Sequence, residues 1–258
     1  MLVKATDITG CDVQASDGTL GTVKDLLFDD ASWTVRWLVV ETGNWWADHR
    51  VLIPASALGH PDISARTLPV NLTMAQVKGS PDVDTHRPVS RQFESRAYDY
   101  YGFSPYWGTD RYMSGFAYWG GMVPMGTSLE TERREDEIVR MQHQNDDPNL
   151  RSVAEISGYH IHATDGEIGH LSDVLIEDSD WSLRYLMVNT SNWWQGKEVL
   201  ISPRSTQSIR WTEHLIYLGV NRDRVRTSPE YDASRPISTG FETAMVSHYG
   251  PTKPADAA

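Results

Sequence analysis

Residues 17–53 read DGTLGTVKDLLFDDASWTVRWLVVETGNWWADHRVLI, and residues 165–201 read DGEIGHLSDVLIEDSDWSLRYLMVNTSNWWQGKEVLI. The second stretch is the first again, moved 148 positions along the chain. Extended back to residue 7, the ungapped overlay of 7–53 on 155–201 holds 20 identities in 47 positions. They include Asp17-Gly18 with Asp165-Gly166, Gly21 with Gly169, Asp25 with Asp173, Trp33 with Trp181, Arg36 with Arg184, and Asn44-Trp45-Trp46 with Asn192-Trp193-Trp194. The same offset joins Ser80-Pro81 to Ser228-Pro229, Arg87-Pro88 to Arg235-Pro236, and Tyr101-Gly102 to Tyr249-Gly250. Solenoid repeats recur every ~20–50 residues. A period this long is a duplicated domain.

Each copy reads as short strands punctuated by turns. A strand over 11–15 runs into Ser16-Asp17-Gly18, a hairpin signal, and a longer strand follows over 20–28. The strand over 33–42 places Trp33, Val35, Trp37 and Val39 on one face and Arg36, Leu38 and Val40 on the other. Being apolar on both faces beyond Arg36, it is expected at the centre of a sheet. Residues 73–78 predict one helical turn capped by Thr73. In the second copy 208–211 is expected to pair with 214–220. Turns at this spacing suggest a small barrel or sandwich. Copies of about 80 residues bury only a modest core, so they are expected to pack on one another, related by an approximate two-fold.

The sequence divides into a first barrel over 1–89, a bridge over 90–149, a second barrel over 150–237 and a partly disordered tail over 238–258. The bridge is crowded with Tyr, Trp, Gly, Met and Pro, as at Tyr118-Trp119. It is expected to be irregular until Thr127-Ser128-Leu129-Glu130, a capping box, opens a charged helix over about 128–144. Two readings of the bridge stand, a sticky interaction loop and a strap along its own barrels. A net charge of −12 argues against a nucleic-acid partner, which needs a basic face. The single cysteine, Cys11, rules out an intrachain disulfide, and a reducing, cytoplasmic setting is expected. Neither a secretory leader nor an apolar run of about 20 residues is found, so no transmembrane segment is expected.

The pattern Asp-Gly-x-x-Gly, then Asp, an aromatic-x-x-Arg-x-Leu strand and a closing Val-Leu-Ile resembles the PRC-barrel domain. Both copies carry it, at Asp17, Gly18, Gly21, Asp25 and Arg36 and at Asp165, Gly166, Gly169, Asp173 and Arg184. The resemblance implies a mainly β fold of two small bent barrels, here joined by the aromatic bridge and the charged helix. It also implies kinship with the cytoplasmic part of the photosynthetic reaction-centre H subunit and with part of a ribosome-maturation factor. The family brings no catalytic residues and no cofactor.

Three constellations are candidates for chemistry. Asp25 with Arg36, and Asp173 with Arg184, are expected to form cross-strand ion pairs that fix register. His160, His162 and His170 fall on two paired strands and would suit zinc or copper. The first copy has Asp12, Gln14 and Thr22 in their places, so an incidental cluster is the preferred reading. Trp45, Trp46, Trp193 and Trp194, with Tyr118 and Trp119, are the candidates for a contact surface, since aromatic residues of this kind dominate interfaces. No phosphate-binding loop, nucleophile elbow or Cys-x-x-Cys is present. The leading expectation is a non-catalytic interaction or scaffold protein, in a stress-related setting, binding itself as a homodimer or another protein. A small-ligand or metal-binding protein is the alternative, and a ribosome-associated factor the third reading.

Overall fold

The computed structural model of the protein describes residues 1–43, 49–80, 100–102, 150–190, 198–232 and 237–250. Its first half contains β1 (Leu2–Lys4), α1 (Ala5–Ile8), β2 (Asp12–Ala15), β3 (Gly18–Asp29), β4 (Thr34–Thr42), β5 (Arg50–Pro54), β6 (Thr67–Pro69) and α2 (Met74–Lys78). The second half repeats the order with β7 (Leu150–Ser152), α3 (Val153–Ile156), β8 (His160–Ala163), β9 (Gly166–Glu177), β10 (Leu183–Asn189) and β11 (Glu198–Ile201). It ends with β12 (Thr206–Arg210), β13 (Leu215–Leu218), α4 (Arg222–Arg226) and α5 (Thr239–Tyr249). The long strands, Gly18–Asp29 and Gly166–Glu177, correspond residue for residue at the 148-residue offset. The small helices do the same, Met74–Lys78 matching Arg222–Arg226.

The chain is mainly β, in two sheets. One runs in the order β5-β4-β3-β2-β6, and the other β11-β10-β9-β8-β13-β12. Each path has two ends, so among the described residues these are strongly bent sheets and not closed rings. The strand β4 lies between β3 and β5, the central place its two apolar faces require. The pair β12–β13 confirms the hairpin expected in the second copy.

Bulges produce the bending. Along β3 the pairing slips at Leu20 against β2 and at Lys24 against β4. Beside the first slip, Gly21 brings the strand so close to β4 that a Cβ would collide with the carbonyl oxygen of Glu41. Gly169 stands in the same relation to Asn189. A further slip corrects the alternation expected for β4. Leu27 faces Trp37 and Phe28 faces Val35, leaving Arg36 as the extra residue of a bulge. Arg184 is skipped in the same way between Leu183 and Tyr185. Val35 therefore joins Leu38 and Val40 in the core, while Trp37 is buried on the other side.

The two halves exchange their first strands. Strand β1 pairs with β9 of the second half, with Leu2 opposite Glu177 and Lys4 opposite Leu175. Strand β7 pairs with β3 of the first half, with Leu150 opposite Asp29 and Ser152 opposite Leu27. Every one of these partners is the other's counterpart at the 148-residue offset. Each arm carries buried apolar side chains: Val3, Ala5 and Ile8 in one, Val153 and Ile156 in the other. Burying a Val or Ile gains roughly 1.5–3 kcal/mol, against about 0.5–1.5 kcal/mol net for a hydrogen bond. Apolar burial holds the arm down, and the ladder decides where it lies. One continuous apolar cluster, from Val3 to Val225, runs through both halves.

The segment read from sequence as the start of a tail is, over Thr239–Tyr249, a helix. It covers the outer face of the second sheet, where Met245 and Phe241 meet Leu175, Tyr185, Met187 and Leu200.

Replacing Gly21 or Gly169 with Ala forces a Cβ into a neighbouring backbone carbonyl. Each change is expected to destabilise the protein by more than about 1 kcal/mol, read from the denaturant midpoint.

Candidate functional site: the seam between the copies

The residues that recur in both copies converge on the line where the copies meet. Asp25 lies in β3, just before the stretch that pairs with the foreign arm. Its Oδ2 accepts from the Ser152 hydroxyl at 2.5 Å, and its Oδ1 accepts from the Ala154 and Leu26 amides at 3.1 and 2.8 Å. Asp173 does the same for the other arm. Its Oδ2 accepts from the Thr6 hydroxyl at 2.5 Å, and its Oδ1 from the Val174 and Thr6 amides at 2.8 and 3.4 Å. The first turn of a helix leaves amides without intrahelical partners. Each Asp satisfies one of these in the short helix of the opposite half. The cross-strand pairs expected with Arg36 and Arg184 are therefore corrected. Arg36 Nη2 donates instead to Ser32 Oγ at 3.0 Å, and Arg184 Nη2 stands 3.6 Å from Glu242. A bulged Arg cannot face the Asp that regular alternation would give it.

At the centre of the seam Thr34 bridges to Ser182, its own counterpart, in antiparallel fashion. The Val35 amide donates to the Trp181 carbonyl at 2.9 Å, and the Leu183 amide to the Trp33 carbonyl at 2.8 Å. Both tryptophans adopt left-handed backbone, with φ of 53° and 56°. Bulky residues rarely do so. The turn that requires it is closed by Trp33 N–H donating to the Asp29 carbonyl at 2.7 Å, with Asp29 Oδ1 accepting from Ala31 and Ser32. The Trp33 ring stacks on Phe28, centroids 5.5 Å apart.

Asp17 and Asp165 have a second role beyond the hairpin. Asp17 Oδ1 accepts from the Met74 amide at 2.7 Å and Asp165 Oδ1 from the Arg222 amide at 2.8 Å, tying α2 and α4 to their sheets. The expected cap on α2 is present as a full capping box between Thr73 and Gln76. Gly18 lies against the end of the Met74 side chain and Gly166 against the Arg222 guanidinium, either of which a Cβ would displace.

The three histidines do not converge. His160 is opposite His170 in the ladder, but its Nδ1 turns to Glu167 at 2.9 Å. His162 instead faces the Tyr217 ring, 5.5 Å away. Among the described residues no group of three or more His, Cys, Asp or Glu is placed to hold a metal ion. The aromatic candidates Trp45, Trp46, Trp193, Trp194, Tyr118 and Trp119, and the helix expected over 128–144, lie outside the described residues. No helix among the described residues is long and apolar enough to cross a membrane.

In the sequence Trp33 and Trp181 read as repeat identities opening a strand, whereas Trp33 stands in the turn before it, and the roles of Thr6 and Ser152 are not anticipated. The available signal for the tryptophans was a bulky aromatic kept in both copies at a turn, where Gly or Asn is usual. No local pattern marks the two hydroxyls.

Burial raises the pKa of Asp25 and Asp173 above the ordinary 3.8, and the hydrogen bonds they accept offset only part of it. Folding thus takes up protons at these positions. Their contribution to stability is full below pH 3.8 and is lost as the pH rises through the raised folded values. In Asp25→Asn/Asp173→Asn this slope should vanish, seen by urea unfolding across that range. Asp→Ala leaves helix amides unpaired and is expected to cost about 1–3 kcal/mol per site, more than Asp→Asn, which keeps an acceptor oxygen. His160→Gln/His162→Gln is expected to leave the metal content of chelator-free protein unchanged. Loss of stoichiometric zinc or copper would assign the histidines a site.

Residues 2–73 match the family model of the PRC-barrel domain. No curated protein matches the chain. The matched segment includes the arm, residues 2–8, which in the fold belongs to the sheet of the other half.

Proposed function

We propose that this PRC-barrel domain protein is a non-catalytic interaction or scaffold module, whose partner is a second copy of the chain or another protein. The observation that supports the reading is the use made of the polar residues common to both copies. Asp17, Asp25, Asp165 and Asp173 are each engaged in holding a helix or an arm. Acid–base chemistry needs a carboxylate aimed at a substrate; these are aimed at the protein's own amides and hydroxyls.

The contact surface in this reading is aromatic. The two Asn-Trp-Trp segments fall in the connections from β4 to β5 and from β10 to β11, so both halves offer one. The chain has ten Trp and eleven Tyr, many for two small sheets to enclose. Trp and Tyr are enriched where proteins meet.

The protein is expected to form a homo-oligomer, most simply a dimer, in light scattering. Trp46→Ala/Trp194→Ala, or removal of residues 103–125, should weaken association by about 2 kcal/mol or more without unfolding the sheets. A strict monomer at high concentration would overturn the self-association.

A further inference from the structure

We infer that the seam is a self-complementary docking surface for one kind of partner, a PRC-barrel unit carrying the same arm, and that the second copy is its resident occupant. A residue meets its own counterpart only on a two-fold axis, and Thr34 meets Ser182. On either side of that point every half gives an arm and receives one. An interface of this kind is isologous and closed.

The recognition chemistry is the same at both acceptors. The far stretch of the long strand offers an open ladder edge, and the arm adds to it as a short antiparallel strand. An Asp then takes an amide and a hydroxyl from the arm's helical turn. The isoleucine closing that turn, Ile8 or Ile156, is fully enclosed.

The hydroxyl is the telling detail. In the first arm it comes from Thr6, and the matching position of the second arm is Ala154. In the second arm it comes from Ser152, and the matching position of the first arm is Lys4. The same bond is made at both acceptors from donors that stand two positions apart in the two arms. None of these residues belongs to the bridge, so the surface should hold without it. This inference is independent of the aromatic contact proposed above, which uses other residues and a different measurement.

The test uses the full chain with a protease site placed within 103–149 and cut after folding. The two fragments are expected to co-elute at the position of the uncut chain, whatever its own assembly state. Mixing with a differently tagged, equally cut chain should yield mixed complexes as halves exchange. In Thr6→Ala/Ser152→Ala the cut complex should dissociate at a concentration several-fold higher than in the parent. Asp25→Ala/Asp173→Ala should raise that concentration at least tenfold, with Asp→Asn closer to the parent. Circular dichroism of the uncut variants checks that the sheets remain folded, and the milder hydroxyl pair serves if the Asp→Ala chain does not. Fragments that part or precipitate at micromolar concentration overturn the inference, as does a cut complex indifferent to the hydroxyl pair.

Discussion

Two strands of three residues, Leu2–Lys4 and Leu150–Ser152, cross from one sheet to the other, and most of the architecture follows from that crossing. The long strand of each half is bent by bulges, and its own first hairpin covers only the early part of one edge. Val23 is then served by Gly10 and Cys11 through backbone bonds of 2.8 and 2.9 Å. Beyond Asp25 nothing from the same half reaches that edge among the described pairings. An open ladder edge invites uncontrolled pairing. The foreign arm closes it, and the Asp at its foot fixes the arm in place. Left-handed Trp33 and Trp181 then align the two central strands across the axis.

The two copies share a backbone plan and differ in the side-chain contacts built on it. Arg151 bonds to Asp30 at 3.2 Å and lies over the Trp211 ring at 4.2 Å, while Tyr159 stacks on His214 at 4.9 Å. At the matching positions of the first half stand Val3, Ile63, Cys11 and Arg66, which build no such ladder. The β12–β13 hairpin likewise belongs to the second half; among the described residues the first has isolated bridges at Leu58–Val70 and Asp62–Thr67 in its place. A tyrosine stands at the same offset in both halves. The Tyr101 hydroxyl donates to the Leu52 carbonyl at 3.2 Å, and Tyr249, the last residue of α5, packs against the cluster that contains Leu200.

Much of this was legible in the sequence. The identities at the 148-residue offset announced the duplication, the alternation placed the strands, and Thr73 announced the helix cap. The bulge at Arg36 was not legible, because alternation assumes an unbroken register. Nor was the acceptor role of Asp17, whose partner lies 57 residues away. The arm exchange was least legible of all. Residues 2–8 and 150–156 share only Leu2 with Leu150 and Ile8 with Ile156, and their partners are chosen by the two-fold and not by spacing. A repeat tells that two units exist; which unit completes which is written in hydrogen bonds 127 and 167 residues apart.

That separation has a consequence during synthesis. The first sheet is missing β7 until residues beyond 150 have left the ribosome, and the first arm has no acceptor until β9 has followed. At ~5–20 residues per second, the earliest-made half waits roughly 4–15 seconds for its last strand. In that interval its bare edge and the apolar arm are exposed together in one nascent chain. Folding in order of emergence therefore leaves the first half without its last strand until the arm of the second half has been made.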